Sequence, residues 1–210
     1  MIFNVTMQNH SGYAQGWNNL ERTISLPDSL KLADSNAEQY FALARQTDNA
    51  LRELIGYYSR CDEPTMIVFF GDHQPPLKNA FYERLYGKPL DQRAAEGGMR
   101  QYAVPFFIWT NYDQPAEDMG RLGAIYLSSC VLKRANLSLT PYNEFLLQLS
   151  EKLPIIHHLG IWESDGTYHS WEDAESGEYE WKEQLMEYED LVYNHSLDPK
   201  TVNEMFSISQ

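Results

Sequence analysis

The sequence contains 210 residues, of which 43% are hydrophobic and 13% aromatic, a composition typical of a globular domain and not of a disordered chain. The formal net charge of -14 argues against a protein that binds nucleic acid or anionic lipid headgroups through a basic patch. Residues 163–190 contain eleven acidic side chains and one Lys, so -10 of that charge lies in one stretch, which we interpret as a solvated face.

The first half of the chain predicts alternating strands and helices. Residues 2–7 are a strand candidate, and a helix follows from a capping box of Ser35 and Glu38 to Tyr58, with apolar residues at helical spacing. The helix should pack on the sheet beside residues 66–70. That continuous apolar block is typical of a strand buried on both faces of a parallel sheet. The order strand, helix, strand indicates an α/β fold.

The second half predicts a long loop over residues 74–100, with at most a short helix near residues 81–86. A strand should cover residues 102–110, with Pro105 indicating an edge or a bulge. The remaining predicted elements are a helix over residues 121–135, a helix that starts at Thr140 and Pro141, a small hairpin near residues 166–171, a helix over residues 181–193, and a short helix capped by Asp198 and Pro199.

Cysteine content and hydropathy bear on the cellular compartment. Cys61 and Cys130 are too few for a disulfide framework, so we expect two buried thiols, although a single bridge stays open. No apolar run reaches the about 18 residues of a membrane span, and the first residues lack the pattern of a signal peptide. Taken alone, these features predict a cytoplasmic protein.

Asp72 and His73 follow the predicted strand over residues 66–70, after a break at Gly71. The carboxyl ends of strands are where open α/β sheets collect their ligands. A carboxylate and an imidazole there suit a divalent cation such as zinc or manganese. The same two residues also fit a turn with a helix cap, and spacing alone does not separate these readings.

Three segments resemble one known family, in the order in which that family has them. FFGDHQPP resembles the second metal-binding motif of the alkaline phosphatase and sulfatase superfamily, in particular of its lipoteichoic acid synthase or phosphoglycerol transferase branch. The resemblance implies that Asp72 and His73 are metal ligands. FNVTMQNHSGY resembles a strand followed by an Asn-His pair whose histidine contacts the substrate's phosphate, a role that falls on His10. YAVPFFIWTNYD resembles the strand after the metal motif.

The resemblance implies a fold and a location. The expected fold is part of an α/β/α sandwich with a mostly parallel sheet, formed by residues 1–153 as the C-terminal half of a sulfatase-like catalytic domain. Residues 154–210 are expected to be a small, acidic α+β extension packed on the same domain. Family members place the catalytic domain outside the cytoplasm, behind membrane helices, so this chain is expected to be an extracytoplasmic fragment that lacks those helices and the upstream half of the domain.

The family's chemistry implies a metal-dependent phosphoglycerol transferase that acts on a phosphoglycerol lipid or polymer. A threonine attacks the phosphate ester, and Mn²⁺ is the expected metal, with Zn²⁺, Mg²⁺ and Ca²⁺ open. Thr6, Thr65 and Thr140 stand in the wrong contexts for the nucleophile. The nucleophile and an acidic metal ligand are therefore expected outside this chain, which alone should be inactive.

Two other functions fit the same residues. A sulfatase or phosphodiesterase of the superfamily would share Asp72 and His73 and transfer the group from a sulfate or phosphate ester to water. A non-catalytic binding module would keep the fold without the metal. Three more histidines could be offered as a second metal cluster, but their spacing is irregular and we do not assign it: His157, His158 and His169.

Overall fold

The structure, a computed structural model, describes residues 1–14, 20–21, 23–89, 98–198, 200 and 203–208. It divides into two compact units, an N-terminal unit of residues 1–114 and a C-terminal unit of residues 115–210. Each unit combines helices with a small sheet, which confirms the predicted α/β class. Across the described ranges, no helix is long and apolar enough to cross a bilayer.

The N-terminal unit contains three helices and two strands among its described residues, with one 3-10 turn at Met99–Gln101. The elements are α1 (Asp28–Ala33), α2 (Ala37–Tyr58), β1 (Met66–Phe70), α3 (Asn79–Tyr86) and β2 (Phe106–Thr110). The predicted bounds of β1 are confirmed. The short helix predicted within the long loop is present as α3, and it starts two residues earlier than predicted. Part of that loop, residues 90–97, lies outside the described residues.

β1 and β2 pair in an antiparallel ladder with Val68 opposite Ile108 at its centre. The Gly71 N–H donates to the Pro105 carbonyl over 3.0 Å and extends the ladder past the end of β1. The prediction of parallel neighbours is therefore wrong for this pair. An apolar run identifies a strand but not the direction of its partner, and residues 71–105 are long enough to connect either arrangement.

The burial of β1 also differs from the prediction. All five residues are partly accessible, and Phe70 is 45% exposed, so the strand is not buried on both faces. Pro105, which has no N–H to donate, lies just before β2 and supplies only its carbonyl to the pairing. The sheet formed by the described residues is therefore a two-stranded ribbon and not the core of a large sheet.

The predicted strand over residues 2–7 is wrong. These residues have no regular secondary structure, and their apolar side chains are exposed, by 91% at Ile2 and 72% at Phe3. A strand is stable only when a neighbour satisfies its backbone groups. Within the described chain no strand pairs with this segment, so its apolar pattern alone does not form one.

The long helix α2 is confirmed, but its predicted capping box is wrong. The residue at the helix start is Asn36, and Ser35 lies one position before it. Glu38 instead accepts the Leu26 N–H over 3.1 Å and pairs with Lys31 at 3.3 Å. A buried carboxylate with a charged partner and a backbone donor is better satisfied than in a cap, because both contacts offset its desolvation.

The small core of the N-terminal unit holds the segment after His10 against α2 and α3. Its buried members are Tyr13, Ala37, Leu77 and Phe81. Tyr13 is 7% exposed and its ring meets the edge of Tyr40 at 5.6 Å. Aromatic packing of this kind contributes beyond the area it buries, so Tyr13 fixes the backbone that follows His10.

The C-terminal unit is built from helices around a three-stranded antiparallel sheet. Its elements are α4 (Ala124–Arg134), α5 (Pro141–Lys152), β3 (Ile155–His157), β4 (Gly160–Trp162), β5 (Tyr168–His169), α6 (Trp171–Glu175), α7 (Lys182–Ser196) and α8 (Asn203–Phe206). The predicted cap is confirmed, since Thr140 and Asn143 form a reciprocal capping box and Pro141 occupies the first turn. The predicted helices over residues 121–135 and 181–193 correspond to α4 and α7.

The predicted hairpin near residues 166–171 is found in part. Its second arm is β5, which pairs with β4, while Trp171 already belongs to α6. The predicted cap of the last helix is wrong for Asp198, whose carboxylate accepts the Lys200 N–H over 2.8 Å before α8 begins. Pro199 lies outside the described residues.

Packing in the C-terminal unit continues across the predicted domain boundary between residues 153 and 154. Leu146, Leu153 and Ile161 belong to one buried cluster. The Tyr126 hydroxyl, fully buried in that cluster, donates to the Leu153 carbonyl over 2.7 Å. The boundary stays a prediction about the family's domains, whereas the structure divides by packing at residue 114.

Candidate metal and phosphate site

The turn after β1 places Asp72 and His73 at the end of the ribbon. A Cβ on Gly71 would lie 3.0 Å from the Val104 Cβ, so the close approach of these two segments favours glycine. Because the last ladder hydrogen bond is made by the Gly71 N–H, the chain is free to turn at the next residue. Both side chains that follow project into solvent, with 82% of Asp72 and 65% of His73 exposed.

The His73 ring is oriented by its neighbours in the chain. Its Nδ1 lies 2.8 Å from the Gln74 carbonyl oxygen, which can only accept, so this contact assigns the proton to Nδ1. The Nε2 lone pair is then available as a ligand, and Nε2 lies 3.5 Å from Asp72 Oδ2. The other Asp72 oxygen, Oδ1, accepts the His73 N–H over 2.9 Å.

This arrangement fits two ligands of one divalent cation. Two donor atoms that each lie about 2.0–2.1 Å from a tetrahedral metal are separated by about 3.3 Å, close to the 3.5 Å between Asp72 Oδ2 and His73 Nε2. A backbone carbonyl that holds the other ring nitrogen is the usual support of a histidine ligand. Within the described residues, no group of three or more His, Cys, Asp or Glu could complete the ligand set.

His10 lies on an exposed turn, where its own N–H donates to the Met7 carbonyl over 3.1 Å. Two contacts of the preceding residue hold this turn. The Tyr13 hydroxyl donates to the Asn9 carbonyl over 2.6 Å, and the Thr47 hydroxyl of α2 lies 3.2 Å from Asn9 Oδ1. The Asn-His pair is therefore supported through its asparagine, which leaves the histidine ring to solvent.

An open cleft of about 730 Å³ lies beside this turn. Its lining includes His10, Glu21 and Gln46, and in the described chain it does not include Asp72 or His73. The structure thus brings the two predicted metal ligands within 3.5 Å of each other, and it places the predicted phosphate ligand, His10, in a cleft whose described lining does not include them. Glu21 and Gln46 were not predicted as lining residues, because neither belongs to a recognisable motif.

The three histidines of the unassigned second cluster have structural contacts. His157 Nδ1 accepts the Leu159 N–H over 3.2 Å, and its ring packs 4.0 Å from that of His158. Burial lowers the pKa of His157, and the neighbouring His158 lowers it further. His169 Nε2 lies 2.8 Å from Glu163 Oε1. Each of these three histidines therefore has a contact within the protein.

The three threonines considered above and the two cysteines have structural or exposed positions. The Thr65 hydroxyl donates to the Glu63 carbonyl over 2.9 Å, and Thr140 caps α5. Thr6 lies in the exposed segment before the first turn. Both cysteines are free, Cys130 buried and Cys61 partly exposed, so the expectation of two buried thiols holds for Cys130 alone.

Asn111 is a structural residue whose role was not predicted. Its Oδ1 accepts the Thr65 N–H over 2.7 Å, and its amide nitrogen donates to the Tyr58 carbonyl over 3.1 Å and the Cys61 carbonyl over 3.0 Å. One side chain therefore joins the end of α2 to the start of β1. The available signal was the motif WTN, whose first two residues end β2 and whose Asn111 follows it.

The family model described as Sulfatase matches residues 1–137. A putative cyclic beta-1,2-glucan modification protein of Rhizobium meliloti (strain 1021) is 30% identical, over 69% of this chain and 23% of the relative. The solved structure of the Streptococcus pyogenes phosphoglycerol transferase GacH in complex with sn-glycerol-1-phosphate is similar with a TM-score of 0.64 at 18% identity, over 98% of this chain and 47% of that chain.

The matches cover different shares of this chain and of the proteins it resembles. The chain spans less than a quarter of the relative and about half of the solved structure. At 18% identity the structural likeness concerns the fold, and it supports the α/β sulfatase-like fold that the three motifs implied. The family model covers well over half of the 210 residues. The chain therefore belongs to the Sulfatase family, within the alkaline phosphatase superfamily.

Proposed function

We propose that this chain is part of an extracytoplasmic, metal-dependent phosphoglycerol transferase, in which Asp72 and His73 bind a divalent cation and His10 contacts the phosphate of the substrate. The observation that carries the proposal is the 3.5 Å separation of Asp72 Oδ2 and His73 Nε2, with the second ring nitrogen held by the Gln74 carbonyl. The likeness to a phosphoglycerol transferase fold supports the substrate class.

The cation in this proposal is Mn²⁺, held by one carboxylate and one imidazole of this chain. Bound there, it would supply positive charge to a phosphate ester. The contribution of the chain's own residues is orientation, since the Gln74 carbonyl fixes the His73 tautomer and the Asp72 carboxylate also accepts the His73 N–H. Because two ligands leave a cation largely hydrated, binding by this chain alone should be weak.

The rest of the catalytic apparatus is proposed to lie outside the 210 residues. Thr65 and Thr140 have structural contacts, Thr6 lies in an exposed segment, and no group of three or more metal-binding side chains is found among the described residues. The greater length of the relatives leaves room for an upstream half with a threonine nucleophile, an acidic ligand and membrane helices. In this proposal those helices place the domain outside the cytoplasm.

A second candidate is a hydrolase of the same family, favoured by the match to the Sulfatase model. It would use the same metal pair and differ in the acceptor of the transferred group, which would be water. A longer polypeptide with the upstream half, given a phosphoglycerol donor, distinguishes the two by its product. Transfer to an added glycolipid acceptor supports the transferase, and release of free glycerol phosphate to water supports the hydrolase.

Metal binding tests the assignment of the pair on the 210-residue chain itself. Titration with Mn²⁺, followed by electron paramagnetic resonance of the free ion, should show weak binding that Asp72→Asn or His73→Ala reduces by at least about tenfold, because each removes one of two ligands. Asp62→Asn is the matched control, since Asp62 is an exposed aspartate before β1. Tight binding that survives Asp72→Asn would refute the site.

A further inference from the structure

We infer that Gln74 is a positioning residue of the proposed metal site, because its side chain holds the backbone that orients the His73 ring. The inference rests on the proposed function, in which Asp72 and His73 bind the cation and Gln74 is not a ligand. The Gln74 carbonyl oxygen lies 2.8 Å from His73 Nδ1, and the Gln74 side-chain amide donates to the Ala103 carbonyl. One residue therefore contacts both a proposed ligand and the segment before β2.

The register of the ribbon explains why the Gln74 side chain reaches this carbonyl. Phe70 pairs with Phe106 at the end of the ladder, and in an antiparallel pair each step forward on one strand matches one step back on the other. Continued past the ladder, this register would place His73 opposite Ala103. The side chain of the next residue, Gln74, therefore needs to cross only the width of the ribbon.

The two proposed ligands form a two-residue bridge between two points that are attached to the segment before β2. The first point is Gly71, whose N–H donates to the Pro105 carbonyl over 3.0 Å. The second point is Gln74, whose side chain donates to the Ala103 carbonyl. A bridge this short, held at both ends, has few backbone conformations to lose when a cation binds. The two hydrogen bonds thus give a fixed geometry to a pair of exposed side chains.

The chain after Gln74 is held as well. Pro75 is buried, and its carbonyl accepts the Tyr82 hydroxyl of α3 and, over 2.8 Å, the Leu77 N–H. A residue that precedes proline is restricted to extended conformations, so Pro75 also limits the backbone of Gln74. The side chain of Gln74 is the restraint that a substitution can remove while the proline and the hydrogen bond from α3 stay in place.

The position of the Gln74 carbonyl decides which nitrogen of His73 can bind a metal. A carbonyl can only accept, so its contact keeps the proton on Nδ1 and leaves the lone pair on Nε2, which lies 3.5 Å from Asp72 Oδ2. With 65% of the His73 side chain exposed, packing contributes little to the orientation of the ring. If the carbonyl moves, the neutral ring can populate its other tautomer, whose Nε2 carries a proton and cannot bind a cation. Loss of the Gln74 side chain should therefore lower metal affinity.

Nuclear magnetic resonance of the metal-free, ¹⁵N-labelled 210-residue chain tests the orientation directly. The ¹⁵N shifts of the His73 ring nitrogens at alkaline pH, where imidazole is neutral, report which nitrogen carries the proton, and His73→Ala assigns the signals. We expect the proton on Nδ1 in the parent. Gln74→Met keeps an unbranched side chain of similar length without the N–H donor, so its His73 signals should move toward a mixture of both tautomers. Gln74→Glu should do the same, because an ionised carboxylate cannot donate to the Ala103 carbonyl.

Titration with Mn²⁺ measures the consequence for binding. Gln74→Met should weaken Mn²⁺ binding by roughly three- to tenfold, because one hydrogen bond that supports a ligand is lost. Gln148→Met, the same exchange at an exposed position of α5, is the matched control and should leave the affinity and the His73 signals unchanged. Gln74→Glu serves the tautomer measurement alone, since its carboxylate could itself bind the cation. If Gln74→Met does not fold, the tautomer of Gln74→Glu decides.

The outcomes separate this inference from the proposed function. If folded Gln74→Met keeps the His73 ring shifts of the parent, or binds Mn²⁺ as tightly as the parent does, Gln74 does not position the ligand and the inference is refuted. Unchanged Mn²⁺ binding by Asp72→Asn and His73→Ala would instead refute the metal assignment. Because the tautomer is measured without metal, it shows in either case whether Gln74 orients the ring.

Discussion

Gly160→Ala should destabilise the C-terminal unit more than any other single methyl group added at the glycines described there. Gly160 has φ +140°, a conformation that side chains rarely adopt, and an added Cβ would lie 2.4 Å from the His169 carbonyl oxygen and 2.5 Å from a Tyr168 ring carbon. The His169 backbone belongs to the β4–β5 pairing, and the Tyr168 hydroxyl donates to the Leu159 carbonyl over 2.9 Å. Neither neighbour can move without loss of a contact.

A backbone cost and a packing cost together determine the expected loss of stability. A non-glycine residue in this backbone region costs about 1–3 kcal/mol, and a forced displacement of packed neighbours costs about 1–3 kcal/mol more. We therefore expect Gly160→Ala to lower the free energy of unfolding by roughly 2–6 kcal/mol. The measurement is urea unfolding of the 210-residue chain, followed by far-ultraviolet circular dichroism.

Two further glycines are matched controls. Gly166 has φ +90° with nothing near an added Cβ, so Gly166→Ala should cost the backbone term of about 1–3 kcal/mol alone. Gly177 has neither a positive φ nor a close neighbour, so Gly177→Ala should leave stability within about 1 kcal/mol of the parent. The reasoning is refuted if Gly160→Ala costs no more than Gly166→Ala, because the close approach of β4 and β5 would then carry no energy.

Three other predictions concern the ribbon, the thiols and turnover. Val68→Asp should lower the free energy of unfolding by roughly 2 kcal/mol, because Val68 faces Ile108 in the ladder and is half-buried. Val68→Thr should lower it less. Equal melting temperatures of the aspartate variant and the parent would contradict the pairing. Cys130 should react with a maleimide at pH 8 more slowly than the partly exposed Cys61, since burial raises the pKa of the Cys130 thiol and depletes the reactive thiolate. Equal labelling rates of the two cysteines, measured by mass spectrometry, would contradict the burial of Cys130. The 210-residue chain should not cleave a glycerophospholipid or a chromogenic phosphate or sulfate ester above background, with or without Mn²⁺, because no positioned threonine is assigned to it; metal-dependent, saturable turnover would show that the nucleophile lies within it.

Local signals predicted the elements whose cause is local. The bounds of β1 follow from a five-residue apolar block that ends at a glycine, and the cap of α5 follows from Thr140 and Pro141, whose contacts lie within four residues. The pairing direction of β1 was not predictable in this way. It depends on which strand docks beside it after residues 71–105, and apolar side chains on β2 satisfy either direction.

The wrong predictions share a physical cause, which is competition from distant groups. Ser35 and Glu38 have the spacing of a capping box, but Glu38 is 7% exposed and is satisfied by Leu26 and Lys31. Residues 2–7 have the composition of a strand, but a strand needs a neighbour to satisfy its backbone groups. In both cases the sequence pattern was present and the contact that decides the conformation was not local.

The candidate site shows the same division between local and distant causes. Asp72 and His73 are adjacent, so the turn after β1 is enough to bring their donor atoms within 3.5 Å, and a motif can report that. His10 and Gln46 line one cleft, and contacts of Tyr13 and Thr47 hold Asn9 next to His10, a long-range arrangement that no spacing reveals. The high exposure of Asp72 and His73, the proposed metal ligands, has a consequence for affinity. A cation bound there by two protein atoms keeps most of its water, so its affinity depends on further ligands, and metal affinity is the property that should rise most when such ligands are supplied.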